Sequence, residues 1–307
     1  MSEPLAFLNG GLVPASQAVV PVDDAGFMLG VTVPEQLRTF RGQLFRLEQH
    51  LARLFKGLGI VGVEIPYALD QLAQAARDLV ANNYALLPEG EDLGLTMFVT
   101  PGPYGNIGKA GGPSPALSGP LVCMHTRRLP LASFTPLYEH GQNLVTTNIR
   151  QVPGDCWPAE LKCRSRMHYW LADQQADRTQ RGARALMLDH NDFVMEASTA
   201  NLLIYRRDEG LVSPPKESIL PGISVAMLED LARQLGIAFG HRPLRVDDVL
   251  AADEVLLCST SPCVWPVLHV NGQAIGQGTP GEAFQRLMAA WCAEVGLDIV
   301  AQAKRAA

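Results

Sequence analysis

Lysine is scarce in this chain: Lys56, Lys109, Lys162, Lys216 and Lys304 are all that 307 residues contain. Cysteine is scarce too. Cys123, Cys156, Cys163, Cys258, Cys263 and Cys292 include no CxxC pair, which argues against a zinc ribbon or a dithiol centre and for free thiols in a reducing cytoplasm. No HExxH stretch or histidine cluster offers an alternative, so no metal is expected. The formal net charge is -6 and no run of like charge occurs; nucleic acid is not an expected partner, because phosphate contacts need clustered Lys and Arg. No apolar stretch of about 18 residues is present, so no membrane partner is expected. The start, MSEPLAFLNGG, lacks the basic-then-apolar order of a secretory leader. What remains is an ordinary globular composition, 47% hydrophobic and 18% charged, with ample core material and no internal repeat.

Periodicity and turn residues set out the elements. A short strand at Ala6–Leu8 runs into an Asn9-Gly10-Gly11 turn of hairpin type. A second hairpin joins Gln36–Phe40 to Leu44–Leu47 through Arg41-Gly42-Gln43. Helices are expected at Glu48–Leu58, with Leu51, Leu54, Phe55 and Leu58 on one face, and at Tyr67–Asn82. Strands Leu95–Thr100 and Leu121–Thr126 flank a Gly-, Pro- and Ser-rich segment, Pro101–Pro120, expected as a surface loop. Pro130 and Pro136 interrupt regular structure at Arg128–Leu137. That places a first domain at 1–128, a linker at 129–137 and a second domain at 138–307. The second half is expected to form helices at Ser165–Arg178, Ser224–Leu235 and Glu282–Val295. Strands are expected there at Ala185–Asp189, Phe193–Ala197, Asn201–Tyr205 and Glu254–Ser259. Strands and helices mix without a repeating strand–helix–strand unit, which favours an α+β fold over a doubly wound sheet.

Four segments carry chemistry. Lys162, between a proline-bearing loop and an aromatic helix start, can form a Schiff base once burial helps it lose its proton; by itself it reads first as a surface lysine ahead of a helix. Glu196 ends an apolar strand before Ala-Ser-Thr-Ala-Asn201. A carboxylate there can keep a pyridine nitrogen protonated, or simply face water. Leu220-Pro221-Gly222-Ile223-Ser224 opens a helix whose free N–H groups suit a phosphate; the same residues read as a plain helix start capped by Ser224. Ser259-Thr260-Ser261 after an apolar strand offers hydroxyls to a phosphate or a carboxylate, or forms a polar turn.

The order of these segments, lysine, strand-end acid, Pro-Gly helix start, Ser-Thr strand end, resembles the class IV aminotransferase family, which includes branched-chain and D-amino-acid aminotransferases and aminodeoxychorismate lyase. The matching stretches are Ala185–Asp189, Val194–Asn201, Ile219–Ser224, Ala252–Thr260, Pro266-Val267 and Gly272. In the first half they are Glu35-Gln-Leu-Arg38, Gly42, Phe45-Arg-Leu and His50-Leu-Ala-Arg53-Leu. The likeness spans roughly residues 6 to 300. It implies the two-domain α+β fold of D-amino-acid aminotransferase-like enzymes, pyridoxal 5'-phosphate as cofactor, and amino acid and 2-oxo acid substrates. A homodimer and a cytoplasmic location come with it. By the same resemblance Lys162 holds the cofactor and moves protons, Glu196 pairs with the pyridine nitrogen, and Arg53 binds the phosphate with its guanidinium fork. Gly222, Ile223, Ser224 and Thr260 complete the phosphate cup, and Tyr169 sits near the cofactor oxygen or the substrate.

Some positions depart from the family. Lys162 is followed by Cys-Arg-Ser-Arg-Met-His-Tyr169-Trp, the Gly30-Val31-Thr32-Val33 stretch lacks the family's acid, and Leu95–Thr100 lacks the arginine some members use for substrate carboxylate. Arg38, Arg164, Arg166 and Ser261 are the candidates left for that carboxylate. A branched-chain-type transaminase is the expected activity. A lyase of the aminodeoxychorismate type, or a relative that kept the fold and lost catalysis, is the alternative. A nucleotide-binding module would need a Walker or GxGxxG pattern, which is missing.

Overall fold

The computed structural model describes residues 3–106 and 119–306. The expected loop at Pro101–Pro120 falls largely, at 107–118, outside the described residues. The chain divides into two compact units, Met1–Leu129 with Leu161–Ser165, and Pro130–Glu160 with Arg166–Ala307. Helices and strands mix in both, and the fold is α+β as the pattern of elements implies.

In the first unit, β1 (Leu5–Leu8), β2 (Gly11–Pro14), β3 (Val33–Phe40), β4 (Gln43–Leu44), β5 (Leu93–Thr100) and β6 (Leu121–Arg128) form one antiparallel sheet in the order β2-β1-β6-β5-β3-β4. A short α1 (Ala25–Met28) is capped by the Asp24 carboxylate. Helices α2 (Leu47–Val61) and α3 (Leu69–Tyr84) pack on the sheet. Leu47, Leu51, Leu54 and Leu58 fall at helical spacing on α2 and are buried with Leu37, Leu95 and Met97 of the strands. Each such side chain stabilises the fold by about 1.5–3 kcal/mol. Helix α2 stops at Gly62, whose left-handed φ of 68° lets its N–H reach the carbonyls of Leu58 and Gly59. Leu161 packs on this same core, against Gly57. Arg164 N donates to Thr32 O at 3.0 Å, and Ser165 Oγ donates to Gly30 O at 3.0 Å. These three contacts fix the stretch that carries Lys162.

The second unit opens with residues expected to be irregular. Leu131–Phe134 instead form a 3-10 turn and Thr135–His140 form α4. Pro136 lies in the first turn of α4, where a missing N–H costs no helical bond. The sheet is mixed. Its strands are β7 (Gln142–Arg150), β8 (Arg184–Leu188), β9 (Val194–Ala197), β10 (Asn201–Arg206), β11 (Gly210–Ser213), β12 (Phe239–His241), β13 (Glu254–Ser259), β14 (Cys263–Val270) and β15 (Gln273–Ala274). They run in the order β12-β11-β10-β13-β14-β7-β8-β9, with β15 beside β14. Only β11/β12, β14/β7 and β7/β8 are parallel pairs among the described residues. Helix α5 (Met167–Thr179) packs on β7 and β8. Helices α6 (Ile223–Gln234) and α8 (Glu282–Val295) pack on β13, with α7 (Val246–Leu250) and α9 (Ile299–Arg305) completing the unit.

Candidate active site

In the first unit the site residues collect around Glu35. This carboxylate lies on β3 and is fully buried. Arg53 on α2 grips it with a fork, Nε to Oε1 at 2.7 Å and Nη2 to Oε2 at 2.9 Å. His50, one turn earlier on the same face of α2, donates from Nδ1 to Oε2 at 2.7 Å. Burial alone would raise the Glu35 pKa. The hydrogen bonds and charges of Arg53 and His50 overcome it and hold the carboxyl at about 2. Burial lowers the His50 pKa, and the charges of Arg53 and Lys162 add to that effect against the pull of Glu35. His50 is therefore a neutral donor. Lys162 itself is half-buried on the anchored stretch Leu161–Ser165.

Arg38 shares β3 with Glu35 but not its surroundings. It is wholly buried, its Nε donates to Thr39 O at 3.1 Å, and its guanidinium lies 4.0 Å over the Phe40 ring.

In the second unit the residues collect around Glu196, at the end of β9 and 5% exposed. Tyr169, in the first turns of α5, donates its phenol to Glu196 Oε1. Burial and the adjacent carboxylate hold that phenol well above its ordinary pKa, so it keeps its proton. Gln151 donates from Nε2 to the Tyr169 hydroxyl at 3.2 Å and reaches Glu196 Oε1 at 3.5 Å. Its Oε1 is buried and accepts no hydrogen bond from a described residue. Asn201, the first residue of β10, donates to Glu196 Oε2 at 3.2 Å.

Local structure explains why these groups meet. Asp173 is one helical turn beyond Tyr169, on the same face of α5. It accepts from the Ser198 hydroxyl at 2.6 Å and from Ala185 N at 3.0 Å. The turn after Glu196 is thereby fastened to the helix that carries Tyr169.

The Pro-Gly helix start also lies here. Gly222 is the N-cap of α6 and no side chain among the described residues caps the helix; the alternative of a Ser224 cap is not what forms. The first N–H groups of Ile223, Ser224 and Val225 therefore lie outside the helix's own bonding, at its positive end. Ser224 is buried and Ile223 half-buried. Thr260 and Ser261 form the half-buried turn between β13 and β14, and α6 packs on β13.

Within each unit, then, Arg53 joins Glu35 and His50, while Tyr169 meets Glu196 directly and Asn201 ties Glu196 to the Leu220–Gly222 turn. Arg166 lies at the start of α5 and Arg164 is exposed on the Lys162 stretch. Reasoning on residues alone assigned no role to Glu35, His50, Gln151 or Asn201. The first two and Asn201 lay inside the matching stretches. Only their spacing, an acid and a histidine ahead of Arg53 and an Asn after the strand-end acid, could have flagged them. Gln151 carries no such signal.

A family model described as amino-transferase class IV matches residues 32–270. The chain is 27% identical over 274 residues to a D-alanine aminotransferase of Bacillus licheniformis, covering 89% of this chain and 90% of that one. It also resembles the T.th. branched-chain amino acid aminotransferase, solved in complex with N-(5'-phosphopyridoxyl)-L-glutamate. The TM-score is 0.82 at 25% identity, over 96% of this chain and 95% of the other. The same enzyme in complex with 4-methylvaleric acid gives 0.82 at 26% identity, over 96% and 95%.

Proposed function

We propose that this chain, which belongs to the class IV aminotransferase family, moves the amino group of a branched-chain-type amino acid to a 2-oxo acid. Transamination and dependence on pyridoxal 5'-phosphate come with the family. The single observation that carries the site reading is the buried Glu196 carboxylate, tied through Asn201 to the uncapped start of α6. An acid at one end and an anion-binding helix start at the other suit a group with a basic ring nitrogen and a phosphate. Gly222 leaves no room for a side chain beside Asn201, as a close backbone cradle requires.

When bound, the cofactor supplies an electron sink for charge developing at the substrate carbon. The chain's residues do the rest. Lys162 anchors the cofactor and carries the proton at that carbon. Glu196 keeps the ring nitrogen protonated, and the Tyr169 phenol and the Asn201 and Gln151 amides hold its oxygens in place. The Arg53 guanidinium, oriented by Glu35, takes a phosphate oxygen. The N–H groups of Ile223 and Ser224 and the Thr260 hydroxyl take others. Ser261 and Arg38 remain the side chains proposed for the substrate carboxylate, and the complete burial of Arg38 favours Ser261.

A homodimer belongs to this reading. It is supported by the exposed apolar side chains Val19, Val20, Val22, Phe27, Met28 and Leu29 of the first unit. A cytoplasmic location is supported by the six cysteines, which form no disulfide among the described residues. No helix among the described residues is long and apolar enough to cross a membrane. The likeness to a D-alanine aminotransferase favours, as a second reading, a donor of D configuration.

The test is a spectrum and a donor panel. Protein with added pyridoxal phosphate should show a visible band that L-leucine or L-valine bleaches, and 2-oxoglutarate should restore it. Lys162→Ala should lose that band and lower turnover by at least roughly 10²–10⁴-fold. Bleaching by D-alanine alone would move the assignment to the second reading. Product release without an oxo acid acceptor would indicate a lyase. The absence of any band in the wild type would sink the site reading.

A further inference from the structure

The Glu196 carboxylate and the start of α6 sit on different elements, separated in sequence by β10 and β11. One side chain spans them. Beyond Glu196 the chain reverses through Ser198-Thr199, with Thr199 in the left-handed region at φ 62°. Ala197 and Ala200 exchange hydrogen bonds of 2.9 and 3.2 Å across that turn. The reversal brings Asn201 back beside the acid. Its Nδ2 donates to Glu196 Oε2 at 3.2 Å and to the Leu220 carbonyl at 3.0 Å. The two bonds use both protons of the amide. Its Oδ1 faces Gly222 so closely that a Cβ there would come within 2.1 Å of it. Asn201 is 5% exposed, so these contacts are made away from water.

We infer that Asn201 is a positioning residue that sets the spacing and orientation of Glu196 relative to the Leu220–Gly222 turn, acting as a strut between the two anchoring ends of the cofactor site. The inference rests on the proposed reading, in which the acid takes the ring nitrogen and the helix start takes the phosphate. A rigid ligand held at two ends gains from both only when their spacing is fixed in advance. Asn201 need not touch the ligand to supply this. Loosening the strut should therefore penalise a ligand that uses both ends and spare one that uses either end alone. A loss of local structure would penalise all of them alike.

The experiment compares binding of three probes by calorimetry to wild type, Asn201→Ala and Gly222→Ala. The probes are pyridoxal 5'-phosphate, pyridoxal without the phosphate, and the phosphorylated carbocyclic analogue with C–H in place of the ring nitrogen. Gly222→Ala attacks the same contact from the opposite side and keeps the question answerable if Asn201→Ala fails to fold. We expect both variants to weaken pyridoxal phosphate by about tenfold or more; Asn201→Ala should cost the two one-ended probes distinctly less, whereas Gly222→Ala, which also alters the phosphate cradle, should spare only pyridoxal. Unchanged pyridoxal phosphate affinity, or equal losses for all three probes, would overturn the strut while leaving the site reading intact. Failure of the wild type to bind pyridoxal phosphate would overturn the site reading, and the strut with it.

Discussion

Glu35 and Glu196 are both buried carboxylates on strands, one in each unit, and their partners differ in charge. Glu35 is gripped by the Arg53 fork and by His50, and its pKa falls to about 2. Glu196 meets a phenol and two carboxamides, each of them a neutral donor. A carboxylate matched by a guanidinium stabilises the fold and orients the arginine. One held by neutral dipoles keeps its charge available to a cationic ring nitrogen. On the proposed reading, the first unit uses its acid to fix a cation in place, and the second uses its acid to attract one. The contrast predicts that the two acids fail differently when neutralised.

The largest stability effect belongs to Glu35→Gln. It leaves the Arg53 charge buried without its carboxylate and should cost about 3–5 kcal/mol in urea unfolding. Acid titration sharpens the same point. His50 has a folded pKa below its ordinary 6.5, so protonation favours the unfolded chain, and stability falls once pH drops below that value. Glu35 has a folded pKa of about 2 against 4.5. Its contribution, of roughly 3 kcal/mol, is complete above 4.5 and is lost as pH falls toward 2. Glu35→Gln should erase that lower limb. An unfolding midpoint in the variant that still tracked pH between 4.5 and 2 as in wild type would remove Glu35 from the explanation.

Next comes Glu196→Gln, where the loss should appear in turnover. We expect kcat to fall about 10²-fold, the scale for removing a preorganised charge from a site, with only about 1 kcal/mol of stability lost. The reverse pattern, a large stability loss with near-normal kcat, would make Glu196 a second structural acid and abolish the contrast.

How much of this could be read in advance differs between the units' skeletons and their polar networks. Helix α2 was legible because its leucines recur at helical spacing, and α8 matches its expected bounds, Glu282–Val295. The strands β7 and β14 were not legible. Pro266 sits within β14, opposite Leu256 on β13, where a proline ordinarily argues against a central strand. β7 is polar at most positions and shows no clean alternation. In the candidate site, the order of Lys162, Glu196, Gly222 and Thr260 pointed to chemistry through its resemblance to class IV aminotransferases; each residue alone reads equally well as a surface, strand-end or turn position. The partners that tune them did not stand out. Gln151 and Glu35 lie far along the chain from the groups they touch, and only folding brings such pairs together.

The smallest effect, and the finest test of the contrast, is Tyr169→Phe. The resemblance to class IV aminotransferases put this phenol near the cofactor oxygen or the substrate; its hydrogen bond to Glu196 points to a role through the acid. Removing it leaves Gln151, 3.5 Å away, as a weaker donor to Glu196 Oε1. The expected loss is about 1 kcal/mol, a several-fold weakening of cofactor binding, with kcat less affected than in Glu196→Gln. The raised pKa of Tyr169 adds a spectroscopic check. Because the phenol stays protonated past its ordinary value of 10.0, the absorption of the bound cofactor in wild type should not change with a phenol titration through that pH. A kcat loss from Tyr169→Phe as large as that from Glu196→Gln would place the hydroxyl on the reacting group itself. The phenol beside Glu196 would then be a catalytic residue as well as a donor that holds the acid.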